Sequence, residues 1–68
     1  MKIYDAYYLY DCEDYSIGLY SSLDTAIQEL LRVIGSYDLL TVYERYIDTT
    51  LEDKIVWECE EGVETFYA

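Results

Sequence analysis

The sequence predicts a small α+β domain in which one amphipathic helix packs on a four-stranded, mainly antiparallel sheet, in the order ββαββ. Three observations lead to this prediction. One stretch of the 68 residues repeats apolar side chains at helical spacing, other stretches are rich in β-branched and aromatic residues, and no proline interrupts any of them. A helix with a single apolar stripe needs one sheet face to cover it, so a two-layer sandwich follows.

The helix is predicted to begin at Ser21. Residues 21–24 read Ser-Ser-Leu-Asp, which fits a capping box with Ser21 as the N-cap and Asp24 as its reciprocal partner. Gly35 is placed for the left-handed C′ position at which a helix ends. The buried stripe between these two ends is predicted to contain Leu23, Ala26, Ile27, Leu30, Leu31 and Ile34.

Four strands are predicted around this helix. They cover residues 3–10, 15–20, 39–47 and 54–60. A four-residue polar turn, 11–14, joins the first two strands as a β-hairpin, and residues 36–38 and 48–53 are the other connections. After Gly62, residues 63–67 are predicted to form either a short fifth strand or a packed tail. The whole chain, 1–68, is predicted to be one compact domain.

The charge is strongly asymmetric. Fifteen Asp and Glu residues stand against four Lys and Arg residues, which gives a net charge of −11. Such a charge keeps a small protein in solution and repels nucleic acid and anionic membranes. We therefore expect no direct binding to nucleic acid or to membrane, and a partner with a basic surface.

Tyrosine is the second unusual feature, with ten residues against one Phe and one Trp. A buried tyrosine hydroxyl must find a hydrogen-bond partner, so a core would use phenylalanine at lower cost. Tyrosine is favoured where one end of the ring is dry and the other wet, as on half-exposed sheet faces and at binding surfaces. Sheet-face packing explains about half of the tyrosines in this interpretation.

The cysteines and the start of the chain predict a cytoplasmic protein. No signal peptide is recognisable, because charge appears within the first five residues. No apolar run approaches the ~20 residues that a transmembrane helix requires. Cys12 and Cys59 are therefore expected to be reduced thiols, with a disulfide between them as the alternative.

The composition argues against an enzyme and predicts no cofactor. The chain has no histidine, which excludes Ser-His and Cys-His nucleophile systems, and its three glycines are too far apart for a phosphate-binding loop. A domain of this size also has little room for the ~300–1,000 Å³ pocket usual for small ligands.

No metal site is predicted either. Residues 11–14 superficially resemble the start of a calcium loop, but they lack its glycine at position six and its glutamate at position twelve. Calcium at Glu58, Glu60 and Glu61 is kept as an alternative, and solvated charge is the favoured interpretation of these residues.

Two acidic segments are the candidate partner-binding site. The eight candidate residues are Asp11, Glu13, Asp14 and Tyr15 at the hairpin tip, and Glu58, Glu60, Glu61 and Glu64 near the C-terminus, where Trp57, Phe66 and Tyr67 are interleaved. Mimicry of a nucleic-acid backbone would need carboxylates from two neighbouring elements, and the hairpin tip would supply the second row if the first and fourth strands were adjacent. The alternative is that the acidity only maintains solubility.

The layout resembles that of small bacteriophage or mobile-element accessory proteins. The resemblance rests on the opening MKIYDAYYLYD, on the turn into GLYSSLDTAIQELLRV and on the two late strands. The short, acidic, histidine-free profile also resembles that of anti-CRISPR proteins and other anti-defence inhibitors. This resemblance implies an inhibitor that acts in the host cytoplasm and blocks the basic channel of a defence nuclease, with a Cas9-type CRISPR effector as the first expectation. The alternative is a structural or self-assembling phage module that forms a homodimer.

Overall fold

The chain folds as an antiparallel sheet with one helix packed against it. The computed structural model describes residues 2–35, 38–47 and 52–67. In chain order the elements are β1 (Lys2–Tyr10), β2 (Glu13–Tyr20), α1 (Leu23–Val33), β3 (Leu40–Tyr46), β4 (Lys54–Glu60) and β5 (Val63–Phe66). The α+β class is confirmed. The predicted count of four strands is wrong, because β5 pairs with β4 and makes the order ββαβββ.

The strands lie in the order β2-β1-β3-β4-β5, and each neighbouring pair is antiparallel. β3 therefore separates β1 from β4. The two acidic segments would form neighbouring rows of carboxylates only if β1 and β4 were adjacent, and they are not. The reason is that β1 has one edge occupied by β2, and β3 pairs along the other edge. Most of the predicted connections at 36–38 and 48–53 lie outside the described residues.

The two faces of the sheet differ in what covers them. α1 packs on β1, β2 and β3, on what we call the helix face. The core beneath it consists of Ala6, Ala26, Ile27, Leu30, Leu40, Val42, Val56, Trp57 and Cys59. Trp57, which is fully buried, extends this core onto β4. We call the opposite side the open face.

Two β-bulges change which residues reach the open face. Ala6 pairs with Gly18, whereas the next residue of β1 pairs with Ser16, so Ile17 is the extra residue in β2 and packs on the core. In β4 the extra residue is Val56, which is buried next to Trp57. A bulge shifts the alternation of side chains by one position. This shift explains why the side chains of β2 and β4 do not alternate regularly between the two faces.

The helix begins one residue later than predicted. Ser22, not Ser21, is the N-cap, and its side chain accepts a hydrogen bond from the backbone N–H of Thr25 at 3.2 Å. Of the predicted stripe, Leu31 is 37% exposed and does not belong to the core. The predicted end is confirmed, because Gly35 has a φ of 96° directly after the last helical turn. No helix in the described ranges is long and apolar enough to cross a membrane.

Both β-hairpins close through two-residue turns. Asp11 and Cys12 have φ values of 52° and 65°, and Glu61 and Gly62 have values of 50° and 82°. Positive φ at both central residues defines a type I′ turn, whose twist matches that of the flanking strands. The predicted four-residue turn at 11–14 is therefore wrong, because β2 already begins at Glu13 opposite Tyr10. Both cysteines are free thiols, Cys12 exposed and Cys59 buried.

The two adjacent serines provide a test of the helix start. We expect Ser22→Ala to lower the free energy of unfolding by about 1 kcal/mol, because it removes the acceptor for an otherwise unpaired N–H. Ser21→Ala is the matched control and should change stability by less than about 0.5 kcal/mol. Urea unfolding followed by circular dichroism measures both. A larger loss for Ser21→Ala would contradict the assignment of the cap.

Candidate functional site

The two acidic turns lie at the same end of the sheet. Tyr8, near the end of β1, pairs with Leu40 at the start of β3, and Leu40 pairs with Cys59 near the end of β4. The β1–β2 and β4–β5 turns are therefore on either side of the first residue of β3. Three strand spacings separate their midpoints, which corresponds to about 14 Å. We call this end, formed by residues 10–15, 38–40 and 58–64, the acidic end.

The eight predicted site residues share this end but not one face. Pairing and alternation place Asp14, Glu58 and Glu60 on the open face, and Glu13, Tyr15 and Glu64 on the helix face. Asp11 and Glu61 occupy the first position of the two turns. The structure thus brings the two predicted clusters to one end of the molecule and divides their side chains between its two sides.

The three members on the helix face also make contacts within the fold. The Tyr15 hydroxyl donates to Glu13 Oε2 at 2.8 Å. The Tyr15 ring stacks on the Tyr8 ring, with the two centroids 5.4 Å apart. The hydrogen bond to Glu13 raises the pKa of Tyr15. The indole N–H of the buried Trp57 donates to Glu64 Oε1 at 3.3 Å. These carboxylates therefore support the packing as well as carrying surface charge.

Two of the basic side chains lie at the opposite end of the sheet. Lys2 and Lys54 approach the Glu44 carboxylate at 3.7 and 3.8 Å. Glu44 is only 7% exposed, and the hydroxyl of Tyr46 also donates to it. The hydrogen bond from Tyr46 and the two ammonium groups hold the pKa of Glu44 below its usual range, against the effect of burial. Together with the adjacent ion pairs of Arg45 with Asp5 and Asp53, this end holds three cations and three carboxylates, and we call it the balanced end.

The other two basic residues are also paired with carboxylates. On the outer side of α1, Arg32 Nη2 lies 2.5 Å from Glu29 Oε2. Arg45 contacts Asp5 Oδ2 through Nη1 at 2.7 Å and Asp53 Oδ2 through Nε at 2.9 Å. All four basic side chains of the chain are thus engaged by Glu44, Glu29, Asp5 or Asp53.

The remaining carboxylates concentrate at the acidic end. Among the described residues, ten carboxylates form no ion pair, and all but Asp24 and Glu52 belong to that end. The eight are Asp11, Glu13, Asp14, Asp38, Glu58, Glu60, Glu61 and Glu64. The net charge of −11 is therefore segregated rather than evenly scattered.

A network of hydrogen bonds crosses the open face and centres on Asp5. This carboxylate is 2% exposed, which requires partners, because an unpaired buried charge is strongly destabilising. Ser16 donates to its Oδ1 at 2.6 Å, and Arg45 donates to its Oδ2 at 2.7 Å. The network joins β1, β2 and β3, and Asp53 extends it to the segment before β4.

A pocket of about 220 Å³ lies beside this network. Its lining consists of Tyr7, Asp14, Tyr43, Arg45 and Asp53, and we call it the open-face pocket. The Tyr7 and Tyr43 rings meet edge to face, with centroids 5.3 Å apart. Burial and the neighbouring Asp5 carboxylate raise the pKa of Tyr7. Paired aromatic rings and carboxylates in one concave site can receive a cationic group.

Sequence reasoning identified only one lining residue of this pocket, Asp14. For Tyr7, Tyr43 and Arg45 the sequence does contain a signal. Asp5 and Tyr7 are spaced i, i+2, as are Tyr43 and Arg45, which places each pair on one face of a strand. Arg45 is moreover one of only four cations in the chain. The antiparallel pairing of Asp5 with Tyr43 brings the two pairs together.

The acidic residues do not form a metal-binding cluster in the described part of the chain. No three Cys, Asp or Glu side chains within residues 2–35, 38–47 and 52–67 converge in a way that could hold one ion. Glu58 and Glu60 lie on the open face, whereas Glu61 lies in the turn that follows.

Comparisons with protein-family models, with curated proteins and with solved structures found no match. The placement of the chain's own residues is therefore what bears on its function.

The balanced end predicts a specific pH dependence. The lowered pKa of Glu44 means that its ionised form contributes stability above the unfolded value of about 4.3, and that this contribution is lost as the pH falls through the folded value. We expect Glu44→Gln to destabilise the protein at pH 7, and the difference from the wild type to shrink below about pH 4. Urea unfolding between pH 7 and pH 3 measures this difference.

Glu52→Gln is the matched control, because Glu52 is exposed and makes no ion pair with the described residues. This change should be neutral or slightly stabilising at pH 7, since it relieves repulsion in a strongly acidic chain. If the stability difference between the wild type and Glu44→Gln increased as the pH fell, the proposed role of Glu44 would be contradicted.

Proposed function

We propose that this protein is a non-enzymatic inhibitor that binds a basic, nucleic-acid-handling surface of another protein through its acidic end. The observation that supports this proposal is the segregation of charge. The acidic end holds eight carboxylates without an ion pair among the described residues, whereas every basic side chain is already engaged elsewhere. A CRISPR effector of the Cas9 type, or another defence nuclease, is the first target class to test.

The charge distribution favours fast and oriented association. Opposite charges on two partners steer their encounter, and an uneven distribution also orients it, because the acidic end is attracted while the balanced end is not. Two-residue turns hold Asp11 and Glu61 at fixed positions in the left-handed region of φ. Little backbone freedom is therefore lost at these positions when a partner binds.

The spacing of the carboxylates fits a competitor for a basic channel better than a close copy of duplex DNA. Glu58 and Glu60 are two residues apart on one strand face, a separation of about 6.7 Å, whereas the phosphates of one DNA strand advance about 3.4 Å each. The two turns are about 14 Å apart, with β3 between them. We therefore propose that blocking of the channel includes contacts other than charge.

Apolar side chains beside the acidic end can supply those contacts. Val63 and Phe66 of the edge strand β5 are 68% and 64% exposed, and Tyr67 follows directly. Interfaces are enriched in aromatic residues, which provide contact area at a low entropic cost. The proposed interface thus combines a charged end with an adjacent apolar edge.

The same edge supports a second candidate function, a self-assembling module. β5 is four residues long, all of them exposed, and an unprotected edge strand can pair with a second copy. The net charge of −11 opposes such a dimer at low salt. Self-assembly therefore predicts a mass by light scattering that rises with protein concentration and with salt. A monomer at high concentration in both conditions would exclude this candidate.

The acidic end can be tested with two charge-matched double variants. Asp11→Asn with Glu61→Gln removes one charge from each turn, and both substitutes are compatible with the turn positions. For binding to nucleases of basic surface at ~50 mM salt, we expect the association rate constant to fall roughly ten-fold or more. Surface plasmon resonance measures the rate, and a DNA-cleavage assay with the same nuclease measures inhibition.

The control is Asp24→Asn with Glu52→Gln, which removes the same charge from exposed positions away from the acidic end. This control should alter the association rate much less than the turn variant does. Equal effects of the two double variants would contradict the assignment of the acidic end. Absence of binding to any CRISPR effector or other nucleic-acid-handling nuclease at ~50 mM salt would overturn the proposed function.

A further inference from the structure

We infer that the open-face pocket binds one arginine side chain of the partner protein. This inference rests on the proposed function in one respect only, namely that the partner presents a basic surface. It adds a defined site and a defined chemical group. The pocket lies on the sheet face opposite α1, lined by Tyr7, Asp14, Tyr43, Arg45 and Asp53.

The size of the pocket limits what it can accept. Its volume is about 220 Å³. Pockets for cofactors and drug-sized ligands span ~300–1,000 Å³, so this one is too small for most of them. A single long side chain is a ligand of suitable size, and an extended side chain can enter from a protein surface without rearrangement of the sheet.

The charge of the pocket selects a cation. Asp14 and Asp53 stand in the lining against Arg45, and the buried Asp5 lies directly behind it. The lining and the buried carboxylate next to it thus hold three carboxylates and one guanidinium, so the site is negative overall. Arg45 is engaged through Nη1 and Nε, whereas Asp14 makes no ion pair with the described residues. An incoming cation therefore finds an acceptor in Asp14, and an anion is repelled.

The aromatic pair favours a guanidinium over an ammonium group. Tyr7 and Tyr43 are half-buried, both line the pocket, and their rings meet edge to face with centroids 5.3 Å apart. A planar guanidinium stacks on an aromatic ring and binds a carboxylate through two parallel N–H groups at the same time. An ammonium is a strongly hydrated point charge that gains less from the ring. Arginine is therefore the preferred ligand.

Hydrogen bonds and ion pairs within the protein fix the shape of the pocket before a ligand binds. Ser16 and Arg45 fix the Asp5 carboxylate at 2.6 and 2.7 Å, and Arg45 in turn holds Asp53 at 2.9 Å. Asp14 belongs both to this pocket and to the acidic end. A basic surface drawn to the acidic end is thereby brought next to the pocket.

The experiment uses the full ¹⁵N-labelled chain and three blocked tripeptides, acetyl-Gly-X-Gly-amide, with arginine, lysine or citrulline at X. We expect the arginine peptide to bind with a dissociation constant on the order of 1 mM and to shift the resonances of Tyr7, Tyr43 and Arg45 most strongly. The lysine peptide should bind about two- to five-fold more weakly. Citrulline has the shape of arginine without its charge and should not bind measurably.

Two variants with matched controls assign the site. Asp14→Asn and Tyr43→Leu should each weaken binding of the arginine peptide about two- to five-fold. Asp24→Asn and Tyr20→Leu, which alter an exposed Asp and a half-buried Tyr outside the pocket, should have no effect. Asp14 is exposed, so its variant keeps the test valid if Tyr43→Leu does not fold.

Three results would overturn the inference. These are equal binding of the citrulline peptide, resonance shifts spread evenly over the acidic end, and equal losses in Asp14→Asn and Asp24→Asn. Lysine binding as tight as arginine would overturn the preference for a guanidinium. No partner protein enters this experiment, so its failure leaves the inhibitor proposal intact, and a failure of nuclease binding leaves the peptide result intact.

Discussion

The ion pair between Arg45 and the buried Asp5 is the interaction on which the rest of the structure depends. Asp5 lies in the middle of β1, is 2% exposed, and receives Arg45 at 2.7 Å and Ser16 at 2.6 Å. Loss of the arginine would leave an uncompensated buried charge, which destabilises proteins by about 3–5 kcal/mol. The pair connects the central strands and shapes the open-face pocket. It also commits one of only four cations to the open face, and the acidic end itself contains no basic residue.

Much of the fold follows from local pattern, and the remainder depends on contacts between distant segments. The helix period, its terminal Gly35 and the bounds of β4 could be read from the sequence, because they depend on neighbouring residues. The strand order could not, since alternation shows which residues share a face but not which strands are neighbours. The N-cap is Ser22 rather than the predicted Ser21; the two serines offer equivalent oxygens, and it is the Ser22 oxygen that accepts from the N–H of Thr25. β5 was ambiguous because its four residues are all exposed and show no burial pattern.

The candidate site shows the same division. Its eight predicted residues were recognisable as two acidic segments, and they do meet at one end, because Leu40 pairs with β1 on one side and β4 on the other. Their division between two faces was not recognisable, since residues 11–14 were predicted to form a turn, whereas Glu13 and Asp14 belong to β2 and alternate between its faces. The open-face pocket was missed because its lining residues come from β1, β2, β3 and the segment before β4. No short sequence motif contains residues from all of these parts.

In the proposed complex, the acidic end and the open-face pocket act over different distances, so they contribute to binding in different ways. Unpaired carboxylates at the end of the sheet attract a basic partner over roughly a Debye length, about 8 Å at physiological salt, and so affect mainly the association rate. The pocket acts only on contact, through ring stacking and directed hydrogen bonds, and so affects mainly the dissociation rate. Raising the salt concentration should therefore weaken the first contribution strongly and the second less, because ring stacking contributes to the second as well as charge. Asp14, which belongs to both, is the residue at which the two contributions meet.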